Sequence, residues 1–229
     1  MRTVIGKTSV EMGIAEFQAL CEPHDAVLVD IGCGDGSFPY RVAGDHDALL
    51  CVGLDANAEA MAKYAARARR KPARGGRGNV LFVASAIESL PLELKGIAGL
   101  LTVNFPWAGL LASVVRGEPT LVQAIDHLAA QDCVLQILVN ADADVPDLDA
   151  FTPQGLADVL GSALPRARFK LQSADWLPAD ARVRSQWGGR LIKGSGRRTI
   201  HIVAQRGSPD TPLSNVLAQA IGLPVAPNS

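Results

Sequence analysis

The sequence predicts an α/β protein whose sheet is mostly parallel and wound with helices on both faces. Short apolar runs of β-branched and aliphatic residues recur along the chain, and segments with helical spacing separate them. Such runs are typical of strands that are buried on both faces. The clearest run, residues 26–31, opens into a loop with glycine at alternate positions, Gly32, Gly34 and Gly36. A sheet of this kind binds ligands at the carboxyl ends of its strands.

Seven segments have the composition of core strands, and a hairpin pattern precedes them. Residues 2–12 alternate in polarity around Gly6 and Lys7, which predicts a β-hairpin over residues 1–13. The core strands are apolar or alternating runs at residues 26–31, 49–55, 80–84, 99–104, 133–140, 167–172 and 198–204. The sequence therefore predicts a seven-stranded, mostly parallel sheet with an N-terminal hairpin.

Helical segments fill the intervals between these strands. Residues 56–70 are rich in alanine, which has the highest helix propensity, and they follow Asp55, a residue type favoured at helix N-caps. Further helices are predicted at residues 14–21, 38–43, 120–130 and 152–160. Residues 71–78 contain a proline and three glycines, so they predict a loop.

The length of 229 residues fits one large domain, and 48% of the residues are hydrophobic. We expect a single domain over residues 1–206, with insertions on the ligand-binding face at residues 141–165 and 174–197. The proline-rich tail, residues 207–229, is expected to be partly ordered, with a short helix near residues 213–221. The N-terminus has no signal-like apolar core and no apolar run is long enough to span a bilayer, so we expect a cytoplasmic protein without membrane contact. We also expect a monomer.

The cysteines and histidines show no spacing that is typical of metal ligands. The cysteines form no Cys-x-x-Cys pair, so neither a disulfide framework nor a metal site is expected. Cys33 is expected to fill a tight loop rather than to act as a nucleophile. His201 is expected to point from a strand into solvent.

The glycine loop and its neighbouring acids predict a nucleoside-binding site. Asp55 ends the second apolar run and is placed to accept hydrogen bonds from ribose hydroxyls. A dinucleotide loop needs its third glycine one position later, where Ser37 stands. Asp30 and Asp35 disfavour an anionic pyrophosphate and suit a cationic amino-acid end. We therefore prefer S-adenosylmethionine to NAD, while an ordinary glycine turn without a ligand would also fit the pattern.

Basic residues are clustered although the formal net charge is -1. The first cluster contains Arg67, Arg69, Arg70, Lys71, Arg74 and Arg77. The second contains Arg190, Lys193, Arg197, Arg198 and Arg206. Two such clusters on a near-neutral protein can form one face that binds a phosphate backbone. They can equally be two solvated surfaces, and charge alone does not distinguish these interpretations.

Two tryptophans lie in segments that we expect to be loops on the ligand-binding face. Trp107 follows Pro106 at the end of the fourth core strand, and Trp187 precedes two glycines. Stacking a base on an aromatic ring contributes about 1–3 kcal/mol, and two indoles can enclose a base that has turned out of its helix. Each indole can instead pack in the core. Trp176, beside a leucine and a proline, is expected to pack.

At these residues the chain resembles the aminoglycoside-resistance methyltransferases of the KamB/NpmA type. The resemblance covers residues 1–206, and its matching segments are the Gly6-Lys7 hairpin, residues 30–36, Asp55, residues 71–76, 86–91 and 105–107, and Ser185-x-Trp187-x-x-Arg190-Leu191. It implies a Rossmann-like class I S-adenosylmethionine-dependent methyltransferase fold. It also implies methylation of N1 of a decoding-site adenine in 16S rRNA of the small ribosomal subunit.

The resemblance implies roles for individual residues. Trp107 and Trp187 would flank the target base, and Ser185 would position the second loop. The cofactor would be held by Asp30, Gly32, Gly34, Asp55, Ala56, Ala86, Ile87, Glu88, Asn104 and Pro106. RNA phosphates would be bound by Arg67, Arg69, Arg70, Lys71, Arg74, Arg190, Arg197 and Arg198.

The chain departs from the family's pattern at three places. Asn104 stands where an aliphatic residue is usual, Ala108-Gly109 replaces a glycine followed by a hydroxyl residue, and Ser195 replaces an RNA-binding arginine. Residues 104–107 are also similar to the Asn-Pro-Pro-Trp motif of methyltransferases that modify exocyclic amines, which makes adenine N6 a second possible target. The sequence is also compatible with a small-molecule methyltransferase and with a cofactor-binding RNA module of weak activity.

Overall fold

The computed structural model describes residues 1–143, 151–178, 181–183, 198–208 and 219. The strands in this part are β1 (Arg2–Ile5), β2 (Thr8–Glu11), β3 (Ala26–Ile31), β4 (Leu49–Asp55), β5 (Val80–Ala84), β6 (Ala98–Asn104), β7 (Ala129–Asn140), β8 (Lys170–Trp176) and β9 (Thr199–Arg206). The α-helices are α1 (Ile14–Cys21), α2 (Ser37–Asp45), α3 (Ala58–Ala68), α4 (Ala108–Arg116), α5 (Pro119–Leu128) and α6 (Pro153–Ala163).

The nine strands form one mixed sheet in the order β2-β1-β5-β4-β3-β6-β7-β9-β8. The α/β class is confirmed, and the sheet has nine strands rather than seven because the two strands of the predicted hairpin belong to it. The mostly parallel arrangement is not confirmed, because the pairings at both edges of the sheet are antiparallel. The hairpin joins the sheet because β1 pairs with β5 and covers its edge. Of the eight strand pairings, the four between β3, β4, β5, β6 and β7 are parallel, and the other four are antiparallel.

The strand order reverses between β3 and β6, which places a ligand crevice at their carboxyl ends. From β3 the chain proceeds outward to β4 and β5, and from β6 it proceeds in the opposite direction to β7. The loops that follow β3 and β6 therefore separate at this point and leave a crevice between them. The glycine loop follows β3, and the segment that contains Trp107 follows β6.

Two hydrophobic clusters cover the two faces of the sheet. Side chains alternate along a strand, so Val27 and Val29 enter one cluster and Leu28 enters the other. The first cluster receives Leu111 from α4 and apolar residues from α5 and α6. The second receives Phe38 from α2 and aromatic and apolar residues from α3. The central strands of the sheet are thus buried between two helical layers.

Several element boundaries differ from those predicted. The bounds of β3, β4 and β5 are as predicted, whereas α4 was not predicted. Strand β8 begins three residues later than expected because residues Leu164–Ala167 form a 3₁₀ helix. The side chain of Asn57 caps α3 by accepting a hydrogen bond from the Ala60 amide at 3.2 Å. The predicted helix near residues 213–221 lies outside the described residues except for position 219.

Two side chains lie in surroundings other than those predicted. His201 was expected to point into solvent, but it is half-buried, and burial lowers the pKa of its imidazole. Trp176 was expected to pack, but 40% of its surface is exposed. The guanidinium carbon of Arg198 lies 4.3 Å from the centroid of the Trp176 ring.

Candidate active site

The loop between β3 and α2 contains three glycines in the left-handed region. The φ angles of Gly32, Gly34 and Gly36 are 70°, 57° and 77°, a conformation that a residue with a Cβ atom adopts only with strain. A Cβ on Gly32 would lie 2.5 Å from Leu110, and a Cβ on Gly36 would lie 2.4 Å from Phe82. The glycines therefore allow both the turn and the close packing of the loop.

The carboxylate of Asp55 connects this loop to the start of α3. Its Oδ2 accepts a hydrogen bond from the Gly34 amide at 2.9 Å, and its Oδ1 accepts one from the Asn57 amide at 2.8 Å. Each carboxylate oxygen has a second lone-pair site. Asp55 can therefore hold the loop and still accept hydrogen bonds from a ligand's hydroxyl groups.

The carboxylate of Asp30 is buried beneath the loop, with only 2% of the residue exposed. Its Oδ1 accepts hydrogen bonds from the Thr102 hydroxyl at 2.6 Å and from the Asn104 amide at 3.0 Å. Burial raises the pKa of Asp30 to about 7, although these two hydrogen bonds act to lower it. Both partners are neutral, so the ionised form of Asp30 would be stabilised by a cationic group.

A cavity of about 410 Å³ opens beside the glycine loop. Seven of its lining residues were predicted from the sequence: Gly32, Asp55, Ala56, Ala86, Ile87, Glu88 and Trp107. The predicted cofactor residues Asp30, Gly34, Asn104 and Pro106 are not among the lining residues. The described lining residues include acids, hydroxyls and apolar side chains but neither lysine nor arginine. This lining fits S-adenosylmethionine better than a dinucleotide because nothing in it would neutralise a pyrophosphate.

Helix α4 and the start of α5 supply lining residues that were not predicted. Leu110 gives the cavity an apolar wall. The Ser113 hydroxyl donates a hydrogen bond to Oε2 of Glu118 at 2.9 Å, and both residues line the cavity. Helix α5 also packs on the turn that begins at Ile87. The sequence contained no signal for this wall because α4 has no side-chain N-cap.

Trp107 stands at the rim of the cavity, on a backbone that is fixed on both sides. The flanking residues Phe105 and Ala108 have φ angles of 52° and 48°. Such angles strain a residue that carries a Cβ atom, and strain of this kind concentrates at functional sites. Phe105 is buried against Leu138, and its amide donates a hydrogen bond to the Leu138 carbonyl at 2.8 Å. This anchor presents the indole to solvent, with 78% of Trp107 exposed.

The structure places the first basic cluster and two residues of the second. Of those two, Arg206 is buried and paired with Asp126 at 3.3 Å, so it is not part of a basic surface. Arg67, Arg69, Arg70, Lys71 and Arg74 are exposed near the loop that joins the end of α3 to the start of β5, at the amino edge. Arg198 directly precedes β9, which runs antiparallel to β7 and therefore starts at the carboxyl edge. Trp187, Ser185, Arg190 and Arg197 lie outside the described residues. The two-indole arrangement and the single basic face therefore stay predictions.

Membrane-spanning helices and metal clusters are both absent from the described residues. Within them, no helix combines the length and hydropathy needed to cross a bilayer. The same part of the chain contains no group of three or more His, Cys, Asp or Glu side chains that could hold a metal ion. The described cysteines are free, and burial raises the pKa of the Cys33 thiol.

The α/β fold, the glycine loop and the acid-lined cavity define an S-adenosylmethionine-dependent methyltransferase. The chain belongs to the NpmA family, 16S rRNA (adenine(1408)-N(1))-methyltransferase, whose family model matches residues 2–206. The family acts on 16S rRNA.

Individual relatives agree over nearly the whole chain. A 16S rRNA (adenine(1408)-N(1))-methyltransferase from Streptoalloteichus hindustanus is 33% identical over 215 residues, which are 90% of this chain and 98% of the relative. The antibiotic-resistance methyltransferase Kmr is 37% identical, with a TM-score of 0.78 over 91% of this chain and 100% of Kmr. A variant enzyme from Catenulisporales acidiphilia, solved with its cosubstrate SAM, is 28% identical. Its TM-score is 0.83 over 93% of this chain and 99% of that enzyme.

Proposed function

We propose that this protein methylates N1 of the decoding-site adenine of 16S rRNA and thereby confers aminoglycoside resistance. Its substrate is the assembled small ribosomal subunit in the cytoplasm, on which it acts as a monomer. The observation that carries the proposal is the exposed Trp107 at the rim of an acid-lined cavity. Membership of the NpmA family supports it. We also propose that residues 1–206 form one domain of the class I methyltransferase type.

The proposed cofactor site uses the acids that surround the cavity. S-Adenosylmethionine supplies an electrophilic methyl group on a sulfonium ion. Asp55 accepts hydrogen bonds from the ribose hydroxyls, and Asp30 is complementary to the cationic amino-acid end. The adenine end is bordered by Ala86, Ile87 and Glu88. Gly32 and Gly34 let the backbone approach the cofactor, and Asn104 and Pro106 lie on its methionine side.

The proposed chemistry depends on placement rather than on a general base. Adenine N1 has an in-plane lone pair and is unprotonated at neutral pH, so the base itself is the nucleophile. Orienting two reactants can contribute about 7–11 kcal/mol in favourable cases. Trp107 stacks on one face of the flipped base. Trp187, positioned by Ser185, is proposed to stack on the other face. An indole face also stabilises the cation that forms as the methyl group arrives, by roughly 0.5–2 kcal/mol.

The environment of Asn104 bears on the alternative target, the exocyclic amine. An asparagine that serves N6 chemistry must accept a hydrogen bond from the amino group. Here the Asn104 amide donates to Asp30, and its Oδ1 is buried without a partner among the described residues. This oxygen needs no reorientation to accept a hydrogen bond from an amino group, so the contacts of Asn104 alone do not decide between the two targets. The assignment to N1 is supported by membership of the NpmA family.

Methyl transfer to purified small subunits tests the function directly. Labelled methyl groups should appear in 16S rRNA, and reverse transcription should stop next to one decoding-site adenine because N1 methylation blocks Watson–Crick pairing. Naked 16S rRNA is the matched substrate control and should be a poorer acceptor. Label in the rRNA without a stop, together with N6-methyladenosine by mass spectrometry, would assign the exocyclic amine as the target. No incorporation at all would refute the proposal.

The raised pKa of Asp30 predicts a cofactor affinity that depends on pH. Only the ionised carboxylate attracts the cationic end, so affinity should fall as pH drops below about 7, by up to about tenfold per pH unit. Calorimetry between about pH 5.5 and pH 7 would measure this dependence. The Asp30→Asn variant should bind weakly with a flat profile over the same range. An equally flat profile for the unmodified protein would show that Asp30 does not face the cofactor's charge.

Protonation of Asp30 has the opposite effect on the stability of the cofactor-free fold, which it increases. Because its folded-state pKa of about 7 exceeds the ordinary value of 3.8, the folded state binds the proton more tightly than the unfolded state. Its contribution to the free energy of unfolding is therefore largest below about pH 4 and is lost as pH rises to about 7. Acid should thus weaken cofactor binding without weakening the fold at this site.

A further inference from the structure

The loop between α3 and β5 (residues 69–79), which we call the basic loop, is closed by its own backbone. The Arg77 amide donates a hydrogen bond to the Ala68 carbonyl at 2.8 Å, and the Gly76 amide donates one to the Lys71 carbonyl at 3.1 Å. A Cβ on Gly76 would lie 1.7 Å from the Arg70 carbonyl oxygen, and Gly75 has a φ of 85°. The basic loop is therefore compact, and its conformation requires glycine at two successive positions.

One aromatic side chain from a different helix holds this loop. Tyr40 of α2 is buried, with 5% of the residue exposed. Its hydroxyl donates a hydrogen bond to the Gly75 carbonyl at 2.5 Å. The guanidinium carbons of Arg67 and Arg77 lie 5.2 Å and 5.9 Å from the centroid of its ring, within the range of cation–π attraction. Tyr40 thus contacts Arg67 near the end of α3, and Gly75 and Arg77 within the basic loop.

The cations that this arrangement presents are available for a ligand. Arg69, Arg70, Lys71 and Arg74 are exposed. Among the described residues, no ion pair joins any of them to a carboxylate. Long basic side chains on an ordered backbone bind phosphates with a smaller loss of conformational entropy than the same residues on a mobile loop. The surface is therefore a pre-ordered site for the phosphates of a nucleic acid.

We propose that Tyr40 is a positioning residue for rRNA binding, because it orders the basic loop before the small subunit is bound. This inference rests on the proposed function, since the phosphates are those of 16S rRNA. Tyr40 touches neither the cavity nor Trp107, so its effect should fall on subunit affinity and leave the chemistry unchanged. Tyr40 is not among the residues to which the family resemblance assigned a role. Its contacts with Gly75 and Arg77 join segments that are distant in the sequence.

Two substitutions at Tyr40 and one at its neighbour test this role. Tyr40→Phe removes only the hydroxyl, and Tyr40→Leu also removes the ring that contacts the two arginines. We expect affinity for purified small subunits to fall about threefold in the first and about tenfold or more in the second. KM for the subunit should rise in parallel, while kcat and calorimetric affinity for S-adenosylmethionine stay within about twofold. Tyr64→Phe is the matched control, since the Tyr64 ring lies 5.1 Å from that of Tyr40, and it should change nothing.

Amide hydrogen exchange supplies a readout that a general loss of stability would not give. In Tyr40→Phe the Gly76 and Arg77 amides should exchange faster while the amides of β3 and β4 keep their protection. Faster exchange throughout the sheet would assign Tyr40 a merely structural role and overturn the inference. So would subunit affinities of both Tyr40 variants equal to that of the unmodified protein. If the unmodified protein itself fails to bind small subunits, the proposed function is refuted, and this inference with it.

Discussion

Replacing Trp107 by alanine is expected to lower kcat for methyl transfer at least about 100-fold while leaving the affinity for S-adenosylmethionine unchanged. The indole is 78% exposed and lies at the cavity rim, so its removal opens no hole in the core. Losing one stacking face costs about 1–3 kcal/mol, and the unstacked base would also lose its orientation toward the methyl group. Single-turnover transfer to small subunits and calorimetry with the cofactor alone would measure the two quantities.

Two variants separate stacking from other effects at this position. Trp107→Phe keeps an aromatic face and should retain activity within about tenfold of the unmodified protein. Trp176→Ala removes the other exposed indole among the described residues, which is not part of the cavity lining, and should have little effect on kcat. If Trp107→Ala instead loses cofactor affinity as strongly as activity, Trp107 serves the cofactor rather than the base.

The strands at the centre of the sheet could be predicted from the sequence for a physical reason. Strands β3, β4 and β5 have the bounds predicted because parallel strands that are buried on both faces must be continuous apolar runs. Helix α4 was missed because it begins without a side-chain cap, at a residue in the left-handed region. A helix start of this kind lacks the N-capping residues from which a helix start is predicted.

The predicted part of the site consists of local sequence motifs, and the part that was missed consists of contacts between segments that are distant in the sequence. The glycine loop, Asp30 and Asp55 belong to local motifs that can be found in a short stretch of sequence. Thr102 supports Asp30 across a separation of 72 residues, through the parallel register of β3 and β6. Glu118 reaches the cavity only because α4 turns back into α5. Contacts of this kind depend on strand register and helix packing, which no local pattern encodes.

The wrong predictions for Trp176 and His201 arise at the edge of the sheet. Among the described strands, β8 pairs only with β9, and its register shifts between Leu171 and Ser173. A bulge reverses which side chains face the core beyond it, so alternation in the sequence no longer identifies the buried face. Trp176 follows this shift and is exposed beside Arg198, whereas His201 is half-buried on β9, which pairs with both β7 and β8.

Replacing Asp55 by asparagine is expected to lower the affinity for S-adenosylmethionine by about 100-fold or more, although the two side chains have nearly the same shape. Both carboxylate oxygens accept backbone hydrogen bonds, from Gly34 and from Asn57. In either orientation of the amide, its NH₂ group faces one of these N–H donors. Either the glycine loop or the start of α3 would then lose a charge-assisted bond of about 1.5–3 kcal/mol, in addition to a ribose acceptor.

Glu59→Gln is the matched control for this substitution. It removes one negative charge from an exposed residue in the first turn of α3, close in sequence to Asp55 but outside the cavity lining. It should bind the cofactor within about twofold of the unmodified protein, because surface charges in water interact weakly. Equal losses in the two variants would mean that Asp55 acts through its charge alone. Calorimetric affinity that is preserved in Asp55→Asn would show that neither the loop bond nor the ribose contact depends on the carboxylate, and the proposed cofactor site would have to be abandoned.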